Sequence, residues 1–332
     1  MSKSKEMDIL ALKLFSLVIN TYLRIRYSRY YRRFRRVVGY HPNVAIPERY
    51  HEKMLWRKMF DKNPEFRVFC DKLASKAYTE SKCPSLKIPL TLWQTGSVDD
   101  IEKMPLSENM VIKANHGSGY NYFPSGAQGD QEELKGMASQ WLGKEYGRRE
   151  HEWGYYGVER KIFAEKLLPN SPDDHFVDMG IRCANGKPIL LSVTTNTKRP
   201  DQRIGYFDLD GNRVYTPELP RGAIKGLDHN FELPLTSREA IRFAEILSVG
   251  VDYARFDFMI SQSQVYAGEI TVYPAAGMSR ASIENQIGPD TICNEHWDLR
   301  DSWFLRSRQS GWKALYAKLL RNYLNRKAML AA

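Results

Sequence analysis

The sequence predicts an α+β protein whose second half is built on an antiparallel sheet. Three observations carry that expectation. Compact apolar runs of strand length stand at 110–114, 161–168 and 254–260. Asn185-Gly186 separates two further runs, 176–184 and 188–195, as the strongest short hairpin signal does. The strand pair 254–260 and 265–274 follows a single helical stretch, 236–250, so the pattern is not alternating βαβ. With 332 residues, 42% hydrophobic and 27% charged, the chain is an ordinary globular one, long enough to bury a real core. No period of 20–50 residues repeats. Cys70, Cys83, Cys183 and Cys293 stand far apart without a Cys-x-x-Cys pair, which encodes neither a zinc ribbon nor a disulfide scaffold and fits a reducing compartment.

The ends differ from the body. Residues 1–40 carry +8, residues 301–332 carry +6, and residues 41–300 carry −4 of the net +10. The body therefore offers no basic face to track a phosphate backbone, and no nucleic-acid partner is expected. Along 7–24, Lys13, Ser16, Asn20 and Arg24 recur at steps of three and four and form one helical stripe, with Ile9, Leu10, Leu12, Leu14, Phe15, Leu17, Val18 and Ile19 around it. The run is too short and too polar for a membrane span, and it lacks the cleavage pattern of a signal peptide. The arginines that follow, interleaved with Tyr22, Tyr27, Tyr30, Tyr31 and Phe34, suit an anionic membrane surface at about 1 kcal/mol per basic residue. Packing on the body, or on a second copy through the terminal helices, is the other reading. At the C-terminus, Trp312, Leu315, Tyr316, Leu319, Leu320, Tyr323 and Leu324 form one apolar face expected to dock on its own domain.

Between these ends, His41-Pro42 closes the basic arm, 48–82 reads as helices broken at Asn63-Pro64, and 90–93 is a short strand. Residues 130–150 read as a polar helix, 236–250 as a helix with Thr236 or Ser237 at its N-cap, and Asp210-Gly211 as a turn.

Three groups of residues suggest chemistry. Lys113 near a strand end precedes the glycine loop Asn115-His116-Gly117-Ser118-Gly119, whose backbone N–H groups could cradle phosphates that the lysine neutralises. Glu165 lies in an apolar strand that runs through Lys166, Leu167 and Leu168 into a proline loop, where exposed backbone groups could read an adenine edge. Arg255 and Asp257 share one face of a strand, as do Glu269 and Thr271 on the next. Two carboxylates converging on one sheet face suit Mg²⁺ carrying substrate phosphates, with Arg255 placed for charge that develops in transfer.

The order of lysine, glycine loop, hinge glutamate, Arg-x-Asp and a later glutamate resembles the ATP-grasp superfamily, in which two α+β subdomains clamp Mg-ATP between antiparallel sheets. Asp71-Lys72-Leu73-Ala74-Ser75-Lys76 is similar to the segment that opens the fold in D-alanine–D-alanine ligase-type members. More narrowly, KMLWRKMFDKNP (53–64), MVIKANHGSG (110–119), FAEKLLP (163–169), NGKP (185–188), RFDF (255–258) and GEITVYPAAGM (268–278) look like the TupA-like ATP-grasp family of bacterial surface-polysaccharide clusters. That family reads Asp-Tyr-Lys where this chain has Asp178-Met179-Gly180, so Gly180 lacks the lysine, and Arg182 on the same strand face could replace it.

The resemblance implies an ATP-grasp fold with extensions, divided as a basic helix 1–40, an N-terminal subdomain 41–109, a small subdomain 110–172, a large subdomain 173–300 and a C-terminal helix 301–332. It implies ATP with two magnesium ions held by Asp257, Glu269 and Thr271. Lys72, Lys76 and Lys113 would balance phosphate charge, with His116, Gly117, Ser118 and Gly119 closing over it. Glu165 to Leu168 would frame adenine, and Asp173 or Asp174 would meet the ribose. Arg255 and Arg182 would serve the transfer step. Arg199, Arg203, Gly277, Ser279 and Arg280 would line the acceptor side. The implied reaction joins a carboxylate and an amine through an acylphosphate, with a sugar or lipid-linked saccharide as one partner, on the inner face of the bacterial cytoplasmic membrane. A sugar kinase and a non-catalytic membrane-docked scaffold are the alternatives.

Overall fold

The computed structural model describes residues 3–126, 130–168, 177–197, 200–215, 225–278 and 288–331. The basic arm forms α1 (Lys3–Arg26) and α2 (Ser28–Val38), joined through Tyr27, whose backbone continues the helical hydrogen bonding on both sides. Gly39, at φ 90°, supplies the left-handed residue that ends α2. The stripe expected on α1 splits. Ser16 and Asn20 turn inward, and Asn20 Oδ1 accepts the Val44 and Ala45 N–H groups at 2.9 and 3.2 Å. Lys13 and Arg24 stay exposed. Leu12, Ile19 and Leu23 bury against the body, yet most of the apolar side chains on the opposite side remain open to solvent. Local periodicity could not foresee this, because the loop at 43–45 brings backbone donors that only Asn20 satisfies.

The expected helical stretch resolves into α3 (Tyr50–Met59), α4 (Glu65–Cys70) and α5 (Lys72–Lys82), with the break at Asn63-Pro64. Asp71 caps α5 by accepting from the Leu73 and Ala74 N–H groups.

A first antiparallel sheet pairs β1 (Thr91–Thr95), β4 (Ile162–Lys166), β2 (Met110–Ala114) and β3 (Asn121–Tyr122) in that order. Met110, Ile112, Ala114, Ile162 and Ala164 pack on Leu134, Ala138 and Trp141 of α6 (Asp130–Gly143). The other face therefore carries Val111, Lys113, Phe163 and Glu165. Helix α6 stops at Gly143, earlier than expected, and the chain turns through 146–151.

The second sheet runs in the order β11 (Gln264–Thr271), β10 (Ala254–Ser261), β5 (Val177–Ala184), β6 (Lys187–Thr195), β7 (Arg203–Phe207), β8 (Arg213–Tyr215), with β9 (Lys225–Gly226) parallel to β7. The hairpin at Asn185-Gly186 and the pairing of β10 with β11 follow the sequence pattern. Strand β7 has no strong signal of its own in the sequence. Its polar, short pattern is overridden by pairing with β6. Met179, Ile181, Leu191, Val193, Phe256 and Phe258 form the apolar face beneath α7 (Ser237–Ser248). The opposite face bears Gly180, Arg182, Ser192, Arg255, Asp257 and Thr271. Helices α8 (Pro289–His296), α9 (Trp303–Arg306) and α10 (Gly311–Ala331) close the fold, and Tyr316, Leu319 and Leu320 of α10 bury as its apolar face requires. No helix among the described residues is long and apolar enough to cross a membrane.

Asp61, at the end of α3, is fully buried. One carboxylate oxygen accepts the Phe304 N–H at 2.9 Å, and the other finds no partner among the described residues. Burial, with Asp252 adding to it, pushes its pKa up to about 7. The folded protein thus holds a proton that the unfolded chain releases near pH 4, about the ordinary aspartate value. This residue makes stability fall as pH climbs from about 4 to about 7. Asp61→Asn keeps the acceptor and abolishes that contribution, so urea melts across this pH range should show a shallower decline in the variant. Identical slopes would refute the assignment.

Candidate functional site

The α5 N-terminus, the glycine loop and β11 meet in a cleft between the two sheets. Asn115 Nδ2 donates to Asp71 Oδ1 at 2.9 Å, and the Lys72 N–H donates to the Asn115 carbonyl at 2.9 Å, so the cap of α5 is locked to the loop. The Lys72 ammonium then reaches the Gly117 carbonyl and lies 3.4 Å from Glu269 Oε1. One lysine thereby spans the helix, the loop and the second sheet.

Glu165 is buried and receives two lysines: Lys113 at 2.5 Å on one oxygen and Lys76 at 2.6 Å on the other. Lys76 also donates to the Pro89 carbonyl at 2.6 Å. Burial pushes the Lys76 amine down and Lys113 adds to this, opposed by Glu165. The carboxylate thus sets the positions of two cations facing the cleft. Both of its oxygens are engaged by the chain's own lysines. The Lys166 and Leu167 N–H groups are likewise spent, donating to the Leu90 and Asn109 carbonyls.

In the loop, Gly117 has φ 102° and Gly119 φ 81°. A Cβ on Gly117 would stand 2.6 Å from the Tyr146 ring, so only glycine fits under that tyrosine. Ser118 is exposed at the loop tip. His116 is turned away and buried, its two ring nitrogens engaged by the Trp141 carbonyl at 2.9 Å and Asn115 Oδ1 at 3.2 Å, and burial lowers its pKa. It anchors the loop and has no direct path to a phosphate.

On the second sheet, Arg255 pairs with Thr271 in register, and a bulge between Phe256 and Phe258 sets Asp257 against Gly268. A Cβ on Gly268 would lie 2.5 Å from the Asp257 carbonyl, which is why glycine precedes Glu269. Arg255 grips Asp257 through two bonds of 2.5 and 2.8 Å, and the Thr271 hydroxyl donates to Asp257 at 3.1 Å. Glu269 keeps half of its side chain accessible in the cleft (52%). Partial withdrawal from solvent would raise its pKa, but Lys72, Lys113 and Arg255 together hold it below the usual glutamate value.

The donor set fits magnesium. Asp257, Glu269 and Thr271 offer hard oxygens from one sheet face, and two carboxylates with substrate phosphates are what that ion usually takes. Cations of the chain itself, Arg255 and Lys72, compensate these carboxylates. A bound metal would have to take their place on Asp257 and Glu269.

Arg182 lies directly opposite Arg255 in the β5–β10 register, buried, with its guanidinium 5.3 Å from the Tyr206 ring. Its Nε and Nη1 have no hydrogen-bond partner among the described residues. Gly180 leaves the space that Arg255 uses: a Cβ there would come within 2.9 Å of both Arg255 Cδ and Asp257 Oδ1 and 2.8 Å of Ser192 Oγ.

Other expected residues separate from the cleft. Arg203, on β7, donates to Asp228 at 2.7 Å and stands three strands beyond β10. Gly277 is buried at φ 67°, packed on Met54 of α3, with its carbonyl 2.9 Å from His51 Nδ1. Asp173, Asp174, Arg199, Ser279 and Arg280 lie outside the described residues. Sequence reasoning missed Tyr146 over Gly117 and Ser192 beside Gly180. Tyr146 lies 29 positions from Gly117, Ser192 faces Gly180 across the hairpin, and neither stands in a motif.

The crowding at Gly180 has a measurable consequence. Gly180→Ala should cost about 1–3 kcal/mol of stability through overpacking against the Arg255–Asp257 pair, read from urea unfolding. A loss below about 0.5 kcal/mol would mean that the pair yields freely.

No curated protein matches the chain. Solved structures with a similar arrangement include an L-amino acid ligase from Bacillus licheniformis (14% identity, 69% of this chain and 50% of that one, TM-score 0.40). A D-alanine–D-alanine ligase from Bacillus anthracis complexed with ATP is another (15%, 68% and 67%, TM-score 0.35). A third is the ATP-grasp ligase PsnB with a phosphomimetic precursor variant, Mg and ADP (11%, 70% and 58%, TM-score 0.37). The chain spans half the length of the first of these. The model of the TupA-like ATP-grasp family matches residues 52–289, from α3 to the start of α8 and across both sheets, and the chain belongs to that family.

Proposed function

We propose that the protein is an ATP-dependent carboxylate–amine ligase. The observation that carries this reading is the convergence, across one cleft, of three lysines and an arginine with two acidic side chains able to hold a metal. A carboxylate resists attack by an amine because the attack builds charge on an anion. Transfer of the γ-phosphoryl group of ATP to that carboxylate turns its oxygen into a leaving group, and the amine then displaces phosphate to give an amide, ADP and phosphate.

In this scheme Lys72, Lys76 and Lys113 neutralise phosphate oxygens, and the Gly117–Gly119 loop lies over them with backbone N–H groups. Glu165 keeps Lys76 and Lys113 apart and aimed into the cleft. Asp257 and Glu269, with Thr271 beside them, would hold magnesium, which supplies charge neutralisation between the phosphates. On release from Asp257, Arg255 becomes free to bind the oxygens on which charge develops, and Arg182 backs it with a second positive charge. Arg182 thus fills the electrostatic role of the lysine that the family carries at the position of Gly180. Its fork binds in a plane where a lysine is a point charge.

The resemblance to a surface-polysaccharide family supports as substrates a sugar acid or amino sugar, free or lipid-linked, joined to an amino acid or other amine. Product analysis distinguishes a ligase from a sugar kinase, since the first yields ADP, phosphate and an amide and the second ADP and a phosphoester.

Binding to the folded state alone stabilises it by about 2.7 kcal/mol at a hundredfold excess over Kd. Thermal unfolding with Mg-ATP should therefore show a shift that requires magnesium in the native protein and shrinks in Glu269→Ala and Asp257→Asn. A shift of equal size in all three would remove the carboxylates from the nucleotide site. No shift in the native protein would favour the scaffold reading.

A further inference from the structure

Helix α1 is amphipathic twice over. Its inner face, Leu12, Ile19 and Leu23, is buried, while Leu10, Leu14, Leu17, Val18, Tyr22 and Ile25 are each 58–74% exposed on the outer side. At 100° per residue these six fall within an arc of about 140°, a continuous apolar strip along the helix. A strip of this kind left open to water marks an interaction surface.

What covers it is indicated by charge. Between Asp8 and Glu48 the chain has no acidic residue, and it has eight lysines and arginines. Arg29, Arg32, Arg35 and Arg36 of α2 are exposed and, among the described residues, have no acidic partner; Arg33 alone of this group reaches one, Glu150. A groove of about 420 Å³ opens along one margin of the strip, lined by Lys13, Arg24, His41 and Asn43. Tyr31 lines the same groove, and its hydroxyl is buried with no partner among the described residues.

We infer that α1 lies flat on an anionic bilayer, its outer apolar strip in the acyl boundary and a lipid phosphate seated in the groove between Lys13, Arg24 and the Tyr31 hydroxyl. The α2 arginines extend the cationic surface over neighbouring headgroups. A purely apolar partner face would leave these cations unanswered, whereas an anionic leaflet answers both the strip and its margin.

Flotation of the full chain with vesicles tests this. Binding is expected with phosphatidylcholine vesicles containing phosphatidylglycerol, with little on phosphatidylcholine alone, and it should weaken as salt rises. Leu14→Glu/Leu17→Glu should lower the partition coefficient more than about tenfold, and Lys13→Gln/Arg24→Gln about tenfold. All four side chains are exposed, so unfolding temperatures should stay near that of the native protein, which separates lost binding from lost folding. Absence of binding, equal binding to neutral vesicles, or insensitivity to both variants overturns the proposal. So does a dimer mass by light scattering that reverts to monomer in Leu14→Glu/Leu17→Glu, since the strip would then belong to a second copy.

Discussion

The buried Arg57 ion pair is the interaction on which the strand pair bearing Arg255, Asp257, Glu269 and Thr271 depends. Arg57 is fully buried, pairs with Asp252 at 2.8 Å, and donates to the Tyr253 and Val272 carbonyls at 2.8 and 2.9 Å. Tyr253 immediately precedes β10 and Val272 immediately follows β11. One side chain of α3 thus ties together the ends of the two strands that carry Arg255, Asp257, Glu269 and Thr271. The Trp297 ring lies 4.4 Å from the guanidinium, and the Trp297 indole N–H donates to the same Asp252 oxygen that Arg57 binds. An ion pair withdrawn this far from water is costly unless its hydrogen bonds are met; the Tyr253 and Val272 carbonyls meet part of that need, while Arg57 Nε and Asp252 Oδ1 find no partner among the described residues. Position 57 therefore fixes register as much as it contributes stability.

The cleft shows a second economy of charge. Each carboxylate in it is matched by a cation of the protein: Glu165 by Lys76 and Lys113, Glu269 by Lys72, Asp257 by Arg255. These pairs can be exchanged. Metal and phosphates arriving together would offer each partner an equivalent of the opposite sign. Arg182 differs, since its buried donors lack a described partner. It stands beside Arg255 where like charges repel, which concentrates positive potential behind the Asp257 pair.

The departure at Gly180 belongs to the same economy. A lysine there would need the volume that Arg255 and Asp257 occupy. Arg182 stands two residues along the same strand face, and glycine stands where the Arg255–Asp257 pair must close. The glycines at 117 and 268 serve comparable ends: each admits a close neighbour, an aromatic ring in one case and the Asp257 backbone in the other.

Much of the fold was legible in the sequence because it is encoded over short spans. Apolar runs at 110–114 and 162–166, alternation at 254–271 and Asn185-Gly186 define strands and turns from neighbouring residues, and period two already put Arg255 with Asp257 and Glu269 with Thr271 on common faces. Tertiary structure decided what depends on distant partners. Lys76 and Glu165 meet across 89 positions, His116 is drawn into the core by the Trp141 carbonyl, Arg203 is claimed by β7 and Asp228, and Asn20 is turned inward by the loop at 43–45. In each case a local pattern allows two faces, and the choice falls to whichever face finds a hydrogen-bond or ionic partner that folding alone brings near.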